Sequence, residues 1–353
     1  MQVVPAWLAL FGELARRHEI HAFVLRHLYE PTTYSLLGFT AHDLGRPALP
    51  FGFRTWAQER ALGFAMKKHG PFDVVHGFWA DPAGRLAARA GRQLGIPSIV
   101  TCDSGEFASM PEIEYGSQRT ARGRKAVGEA LALATRVHVC TEFMAAQAKA
   151  HGVEPVVIPL TTVIDGKPKP RPFDRARVLR LLQVASLSRV KNQRLLIDAL
   201  PIIRNTIDAH VDLVGEDTLG GELQRHAGRL GVADHVTFHG FVPQDGLDPF
   251  YGSADIYIQT SLHEAAGVSV LEAAAAGVAV VGTRAGYIAD WAPERAIAID
   301  TATPASLAAA ILETPARSPT VALRGHEWSS RHHASWAATQ FEALYADALT
   351  RSA

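Results

Sequence analysis

Two carboxylates, Glu264 and Glu272, stand with seven residues between them in the run Ser261-Leu-His263-Glu264-Ala-Ala-Gly267-Val268-Ser269-Val-Leu-Glu272. The segment reads as a loop leaving a strand and entering a helix near Ser269. A glycine at such a junction lets backbone approach a ligand closely. The unpaired N–H groups of the first helical turn, with the positive end of the helix dipole, attract an anion. Gly267, Val268 and Ser269 therefore make a candidate phosphate cradle, with the amide of Val270 as its last member. Glu264, at the mouth of this loop, requires a cationic or hydroxylic partner, and a sugar offers several hydroxyls. His263 is its neighbour, either lining the site or packing against the helix. Glu272 has two readings. Ser269-Val-Leu-Glu272 fits a capping box, in which the glutamate bonds back to the cap residue's own N–H; alternatively its carboxylate faces the loop and holds part of the ligand.

The elements that must position these groups are legible as an alternation. From Arg177 onward short β-rich runs (179–185, 211–214, 236–239, 255–260, 279–282, 296–299) alternate with helix-like stretches such as 193–203 and 221–230. Repeats of this kind imply a parallel sheet covered by helices on both faces, with ligands at the carboxyl ends of its strands. The N-terminal half shows the same rhythm, with strands expected at 20–25, 73–78, 97–102, 136–140 and 156–159 and helices at 83–94 and 121–134. Between the halves, Asp165-Gly-Lys-Pro-Lys-Pro-Arg-Pro172 carries prolines that suit neither helix nor central strand. The expected division is an N-terminal domain over 1–165, a linker over 166–176, a second domain over 177–330 and a closing segment over 331–353. The chain opens on an amphipathic helix, Val3 to Arg16, with Trp7, Leu8 and Phe11 on its apolar side. A doubly wound domain ordinarily starts with a strand and a glycine-rich turn, so an earlier strand upstream of Met1 is expected.

Bulk properties exclude several classes. With 353 residues the chain suits two domains, and 48% hydrophobic against 20% charged residues is a globular composition. Lys and Arg together number 35, as do Asp and Glu, so no long-range field draws the protein to nucleic acid. The two cysteines, Cys102 and Cys140, close short apolar runs and read as buried thiols. With no secretory leader, they suit a reducing cytoplasm. The 16 histidines show no pair at metal-ligand spacing with a supporting carboxylate or thiolate, and His76, His138, His239 and His332-His333 read as strand or surface residues. No Asp-x-Asp motif stands in a usable loop, so no metal and no cofactor is expected. The cluster Arg119 to Lys125 reads as a solvated helix face, or more sharply as contact to a phosphate-bearing acceptor or a membrane surface.

The spacing of Glu264 and Glu272, the Ala-rich helix that follows, Gly277 and Val278-Ala-Val-Val resemble the donor-site signature of the retaining glycosyltransferases of family 4. Leu213-Val-Gly-Glu216, Val236-Thr-Phe-His-Gly-Phe-Val-Pro243, Tyr251 to Thr260 and Ser335 to Tyr345 extend the likeness, which is strong from about Leu181 to Leu349. The resemblance implies a GT-B fold: two doubly wound Rossmann-like domains with an interdomain cleft. It implies that Glu264 contacts hydroxyls of the transferred sugar, that Glu272 binds the nucleotide's ribose, and that the Gly267 to Ser269 amides hold the diphosphate. A basic pair near the first strand of the second domain is implied to neutralise the leaving diphosphate. Here Ala185-Ser186-Leu-Ser188-Arg189-Val-Lys191-Asn192 supplies Lys191, while Ser186 stands where an arginine is usual. Arg189 either substitutes for it or is a solvated helix-start residue. In the first domain, Ile99-Val-Thr-Cys-Asp103-Ser-Gly105-Glu106 places Asp103 where a histidine is usual. Asp103 would accept a hydrogen bond from an acceptor hydroxyl and assist its deprotonation, or else hold an Asx-turn. Glu106 and Glu112 are the nearby reserves.

The expected activity is therefore metal-independent, retaining transfer from a nucleoside diphosphate sugar to an unidentified acceptor: a glycan, a lipid-linked species or a small molecule. Peripheral contact with the inner face of a membrane is left open. The closing helix, Trp336 to Leu349, is expected to return to the N-terminal domain. A nucleotide-sugar epimerase or a phosphorylase on the same fold, or a non-catalytic nucleotide-sugar-binding protein, are the alternatives.

Overall fold

The computed structural model describes residues 4–25, 27–46, 51–162 and 177–352. The linker expected over 166–176, and Val3, lie outside them. The chain divides into two compact units, one comprising Met1–Leu160 with Ala334–Ala353 and the other Thr161–His333.

The first unit runs α1 (Pro5–Leu14), β1 (His21–Val24), β2 (Thr32–Leu36), β3 (Phe39–Asp43), α2 (Phe51–His69), β4 (Val75–Phe78), α3 (Arg85–Leu94), β5 (Ser98–Cys102), α4 (Ala121–Leu133), β6 (Arg136–Val139), α5 (Glu142–Ala150) and β7 (Val156–Val157). Its parallel sheet has the order β4-β5-β6-β7, and β1, β3 and β2 form a second, separate sheet in which β3 lies between the other two. The described strands of this half thus form two sheets, of which β4-β5-β6-β7 is parallel throughout. The β2–β3 hairpin has no place in the sequence reading. Its two-residue turn puts Leu37 and Gly38 at positive φ, 49° and 86°, and leucine is a poor announcement of such a turn. Cys102 and Cys140 are buried free thiols at strand ends, and burial pushes both up in pKa.

The second unit runs β8 (Leu179–Val184), α6 (Gln193–Arg204), β9 (Ala209–Val214), α7 (Glu222–Arg229), β10 (Val236–Gly240), α8 (Asp248–Ser253), β11 (Ile256–Gln259), α9 (Val268–Ala275), β12 (Ala279–Thr283), α10 (Tyr287–Trp291), β13 (Ile297–Ile299) and α11 (Pro304–Arg331). The strands form one sheet in the order β10-β9-β8-β11-β12-β13, and every neighbouring pair is parallel. Leu179, Leu181, Ile256, Ile258 and Val281 are buried in one cluster with Leu196, Leu200 and Leu307 from the covering helices. Strands covered on both faces read as continuous apolar runs for this reason. Successive crossovers travel outward from β8 in one direction and from β11 in the other. The boundary between β8 and β11 is thus the topological switch point, where loops diverge and leave room for a ligand. Helix α11 starts at Pro304 after Thr303, whose hydroxyl accepts the Ser306 amide at 3.2 Å, and it packs on α6, α9 and β12.

Helix α12 (Ala334–Ser352) belongs to the first unit and packs on α1. Ala337, Ala338, Phe341, Leu344 and Ala348 are buried at helical spacing. Tyr345 adds a polar contact, its hydroxyl 3.1 Å from His76 Nδ1. From there His76 Nε2, Thr101 Oγ1, His138 Nδ1 and, through His138 Nε2, the Ile158 carbonyl form a buried hydrogen-bonded chain with steps of 2.7 to 2.9 Å. Burial lowers both imidazoles, His138 to about 4, so they are neutral strand residues. Asp347 pairs with Arg136 at the same seam. Because Phe341 packs its ring against His138 at 4.8 Å between centroids, Phe341→Ala is expected to destabilise the first unit by about 3–5 kcal/mol. Urea unfolding of the variant, followed by a probe in that unit, measures it.

Candidate functional site

The loops after β8 and β11 meet at the switch point. Thr260 Oγ1 donates to the Lys191 carbonyl at 2.8 Å, Gln183 Nε2 donates to Thr260 Oγ1 at 3.1 Å, and the Leu262 amide donates to Val190 O at 2.8 Å. Gln193, buried in the first turn of α6, donates to Ser186 O at 3.0 Å. Four backbone groups that leave a strand end without ladder partners are thereby satisfied, and the loop carrying Lys191 is held rigidly. Lys191 Nζ then reaches Glu264 Oε1 at 2.5 Å, and Ser261 Oγ donates to the same oxygen at 2.7 Å. Among the described residues nothing bonds to Oε2. The side chains of Lys191 and Glu264 are 26% and 11% exposed, sheltered but open to a ligand.

Gly267, at φ +90°, is the N-cap of α9, and a β-carbon there would stand 2.6 Å from Gln259 Oε1. The helix begins at Val268, one residue before the expected start. The Val270 amide donates to Gly267 O at 2.9 Å, so the anion cradle narrows to the Gly267, Val268 and Ser269 amides. Gly286, just before α10, presses on this loop from behind: a β-carbon would lie 2.2 Å from Ala266 O and 3.0 Å from Glu264 Cβ. The sequence signal for it was only a glycine two residues beyond Arg284.

One structural reading of the loop is corrected. Glu272 closes no capping box, because Gly267 is the cap and the Ser269 hydroxyl accepts from Tyr257 at 2.6 Å. Glu272 instead is 4% exposed and accepts from Tyr251 at 2.5 Å and Gln244 at 2.8 Å. Burial pushes its carboxyl up and these two donors oppose the push. Arg189 pairs with Glu222 on α7 at 3.1 Å, and Lys191 alone of the two cations meets Glu264. His263 is buried, which holds its imidazole below the usual value despite the Glu264 carboxylate.

Asp103 lies in the first unit, just past β5, and takes no part in an Asx-turn: Glu106 Oε2 accepts the Ser104 amide at 2.8 Å and Glu106 Oε1 the Ala80 amide. Asp103 Oδ2 accepts from the Trp7 indole at 2.9 Å, and its shielded Oδ1 has no partner among the described residues. Burial first, then the charge of Glu106, raises Asp103 to about 7. Glu112 stands exposed on a short helical turn. Beside Asp103, Ser104 and Gly105 join Arg54, Arg85, Arg119 and Arg122 around a cavity of about 510 Å³. Arg85 is paired with Asp81 at 2.9 Å. Two arginines of the Arg119 to Lys125 cluster thus share a concave, basic site, which only the α2, α3 and α4 placements create.

A glycine-led amide cradle, a lysine and a carboxylate thus meet at the switch point of a parallel sheet, the place where α/β proteins of this class bind ligands. The chain matches the family described as glycosyl transferases group 1 over residues 179–315, and the glycosyl transferase 4-like domain over residues 3–161. It belongs to the family 4, group 1 glycosyltransferases. Among relatives, the D-inositol 3-phosphate glycosyltransferase of Arthrobacter sp. (strain FB24) is 28% identical over 242 residues, 62% of this chain and 56% of that protein. The GDP-mannose-dependent alpha-(1-6)-phosphatidylinositol monomannoside mannosyltransferase of Mycolicibacterium smegmatis is 38% identical over 114 residues, 29% of this chain and 30% of that one. The matches thus span about half or less of these relatives' lengths. Two solved structures share the GT-B fold: sucrose-phosphate synthase from Thermosynechococcus elongatus, with a TM-score of 0.79, 18% identity and 96% and 91% of the two chains covered; and Anabaena HepE in complex with UDP and glucose, at 0.77, 16%, 97% and 95%.

The raised carboxyl of Asp103 has a signed consequence. Its contribution to stability is complete below the ordinary value of 3.8 and is lost as pH rises through about 7. Asp103→Asn keeps an acceptor for Trp7 and is expected to flatten the decline in melting temperature across that interval, leaving the share due to Glu106. Thermal melts of both proteins over the interval test this, and parallel curves would refute it.

Proposed function

We propose that the chain transfers a sugar, with retention of anomeric configuration and without a metal ion, from a nucleoside diphosphate sugar to a hydroxyl of a phosphate-bearing polyol. The observation that carries the donor half is the Lys191–Glu264 contact beside the Gly267 to Ser269 amides. Diphosphate oxygens take those amides and Lys191, which leaves Glu264 free to accept from sugar hydroxyls while Ser261 keeps it oriented. Charge that develops on the departing diphosphate is met by donors already in place, the circumstance in which electrostatic stabilisation is strongest. Glu272, held by Tyr251 and Gln244, retains lone pairs for a ribose hydroxyl. Arg189 would turn to the diphosphate only by leaving Glu222.

The acceptor half rests on the arginine-lined cavity that Ser104 and Gly105, next along the chain from Asp103, help to line. Guanidinium groups suit phosphate, and the printed names of the Arthrobacter and Mycolicibacterium relatives both refer to inositol carrying phosphate. Asp103, with an unpartnered oxygen and a pKa near neutrality, would accept the hydrogen bond of the attacking hydroxyl. In the overall exchange the sugar's bond to the diphosphate breaks, its bond to the acceptor oxygen forms, and the acceptor proton leaves with the diphosphate.

Incubation with UDP-, GDP- and ADP-sugars and an inositol phosphate, without added divalent metal, is expected to yield free nucleoside diphosphate and a glycosylated phosphate ester. Rearranged donor or sugar phosphate as the product would favour the epimerase or phosphorylase instead. Glu264→Ala and Lys191→Ala should each lower turnover roughly 10²–10³-fold while the chain stays folded. Exchanging the phosphorylated acceptor for unphosphorylated inositol should raise KM at least about tenfold, and Arg122→Ala should remove that difference.

A further inference from the structure

Away from the donor loops, in the first unit, three histidines distant in sequence converge. His21 opens β1, His42 lies on β3 and His69 ends α2. Parallel pairing sets His21 opposite Thr40 and Phe23 opposite His42, so His21 and His42 project from one face of the sheet, and the last turn of α2 brings His69 onto it. One ring nitrogen from each lies within 4.8 Å of the others. Phe23 and Phe72 pack beside His21 and make an apolar wall.

The His21 and His42 rings already face one another. His21 Nδ1 faces His42 Nε2 at 2.9 Å, while their outward nitrogens meet oxygens: Glu19 Oε1 at 3.0 Å from His21 Nε2, and Thr33 Oγ1 at 3.1 Å from His42 Nδ1. An outer carboxylate or hydroxyl on the second ring nitrogen is what fixes the tautomer of a metal-bound histidine.

We propose that His21, His42 and His69 bind one divalent transition-metal ion, with zinc the best match to an all-imidazole donor set, and that the ion clamps the end of α2 to the β1–β3 pair. Zinc–nitrogen bonds of about 2.0–2.1 Å place tetrahedral ligand atoms about 3.4 Å apart. To reach this spacing the His21–His42 pair opens from 2.9 Å and His69 turns inward at its helix end. Binding replaces the His21–His42 hydrogen bond with two metal–nitrogen bonds. The His42 proton moves from Nε2 to Nδ1, where Thr33 turns to accept it, so no net proton is released. Water completes the coordination, and Glu19, whose side chain is 87% exposed, remains an outer partner. The role is structural and makes no use of Glu264, Lys191 or the diphosphate.

Tag-free, chelator-treated full-length chain is titrated with Zn2+ by calorimetry and with Co2+ by visible absorption. One ion per chain is expected, with the intense absorption of four-coordinate cobalt and a melting temperature raised by zinc. His42→Ala and His69→Ala should abolish uptake, and Thr33→Val should weaken it about tenfold or more. Should His42→Ala fail to fold, the exposed Thr33 and the helix-end His69 still decide the matter. Absence of uptake by the unaltered chain, or uptake undiminished in both His69→Ala and Thr33→Val, overturns the site. These readouts do not depend on glycosyl transfer, so loss of the metal site and loss of the donor reading are told apart.

Discussion

The donor unit is organised around the place where its parallel sheet changes direction. The β8 and β11 strands run side by side, yet their crossovers depart to opposite sides, so the two loops that follow them cannot cover one another. What fills the gap is a small set of directed bonds: Thr260 and Gln183 to the backbone of Lys191, Leu262 to Val190, and finally Lys191 to Glu264. A lysine amino group on a flexible stem loses much conformational freedom when fixed. Here its backbone is held first, and the terminal contact is made with a carboxylate that Ser261 has already oriented.

Glycines set the clearance around that contact. Gly267 lets α9 start with its amides turned toward the site, and Gly286 lets α10 lie directly behind the Glu264 loop, where any side chain would collide with Ala266 O. The α9 helix is otherwise almost wholly buried from Val270 to Ala275, and α11 lies across its far side. The loop therefore sits between a rigid helix and a rigid strand end, which is what pre-organised donors require.

Three acidic groups in this protein show how strongly surroundings decide what a carboxylate does. Glu264 shares an oxygen between a cation and a hydroxyl. Glu272 is sunk among a phenol and an amide and is pushed up by burial. Asp103 has one oxygen on an indole and the other with no partner among the described residues, and lies near neutrality. The same contrast runs through the histidines. His76 and His138 belong to a neutral buried chain that secures α12, whereas His21 and His42 share one hydrogen bond between neighbouring strands.

By itself the sequence determined the local and periodic features: the alternation that makes a parallel sheet and the strand-to-helix loop at Glu264 to Gly267. Each is written within a dozen or so neighbouring residues, because strand and helix periods and turn chemistry act over short range. Tertiary structure alone decided the rest. Ser269-Val-Leu-Glu272 satisfies a capping pattern, but Tyr251 and Gln244 reach Glu272 from elsewhere in the chain. Arg189 and Lys191 are two residues apart, yet α7 supplies Glu222 to one and the β11 loop supplies Glu264 to the other. The convergence of Arg54, Arg85, Arg119 and Arg122, and of His21, His42 and His69, has no sequence spacing at all. Those groupings depend on which strands pair and how helices lie across them, and pairing between distant segments is chosen by the burial of whole faces rather than by the residues that end up together.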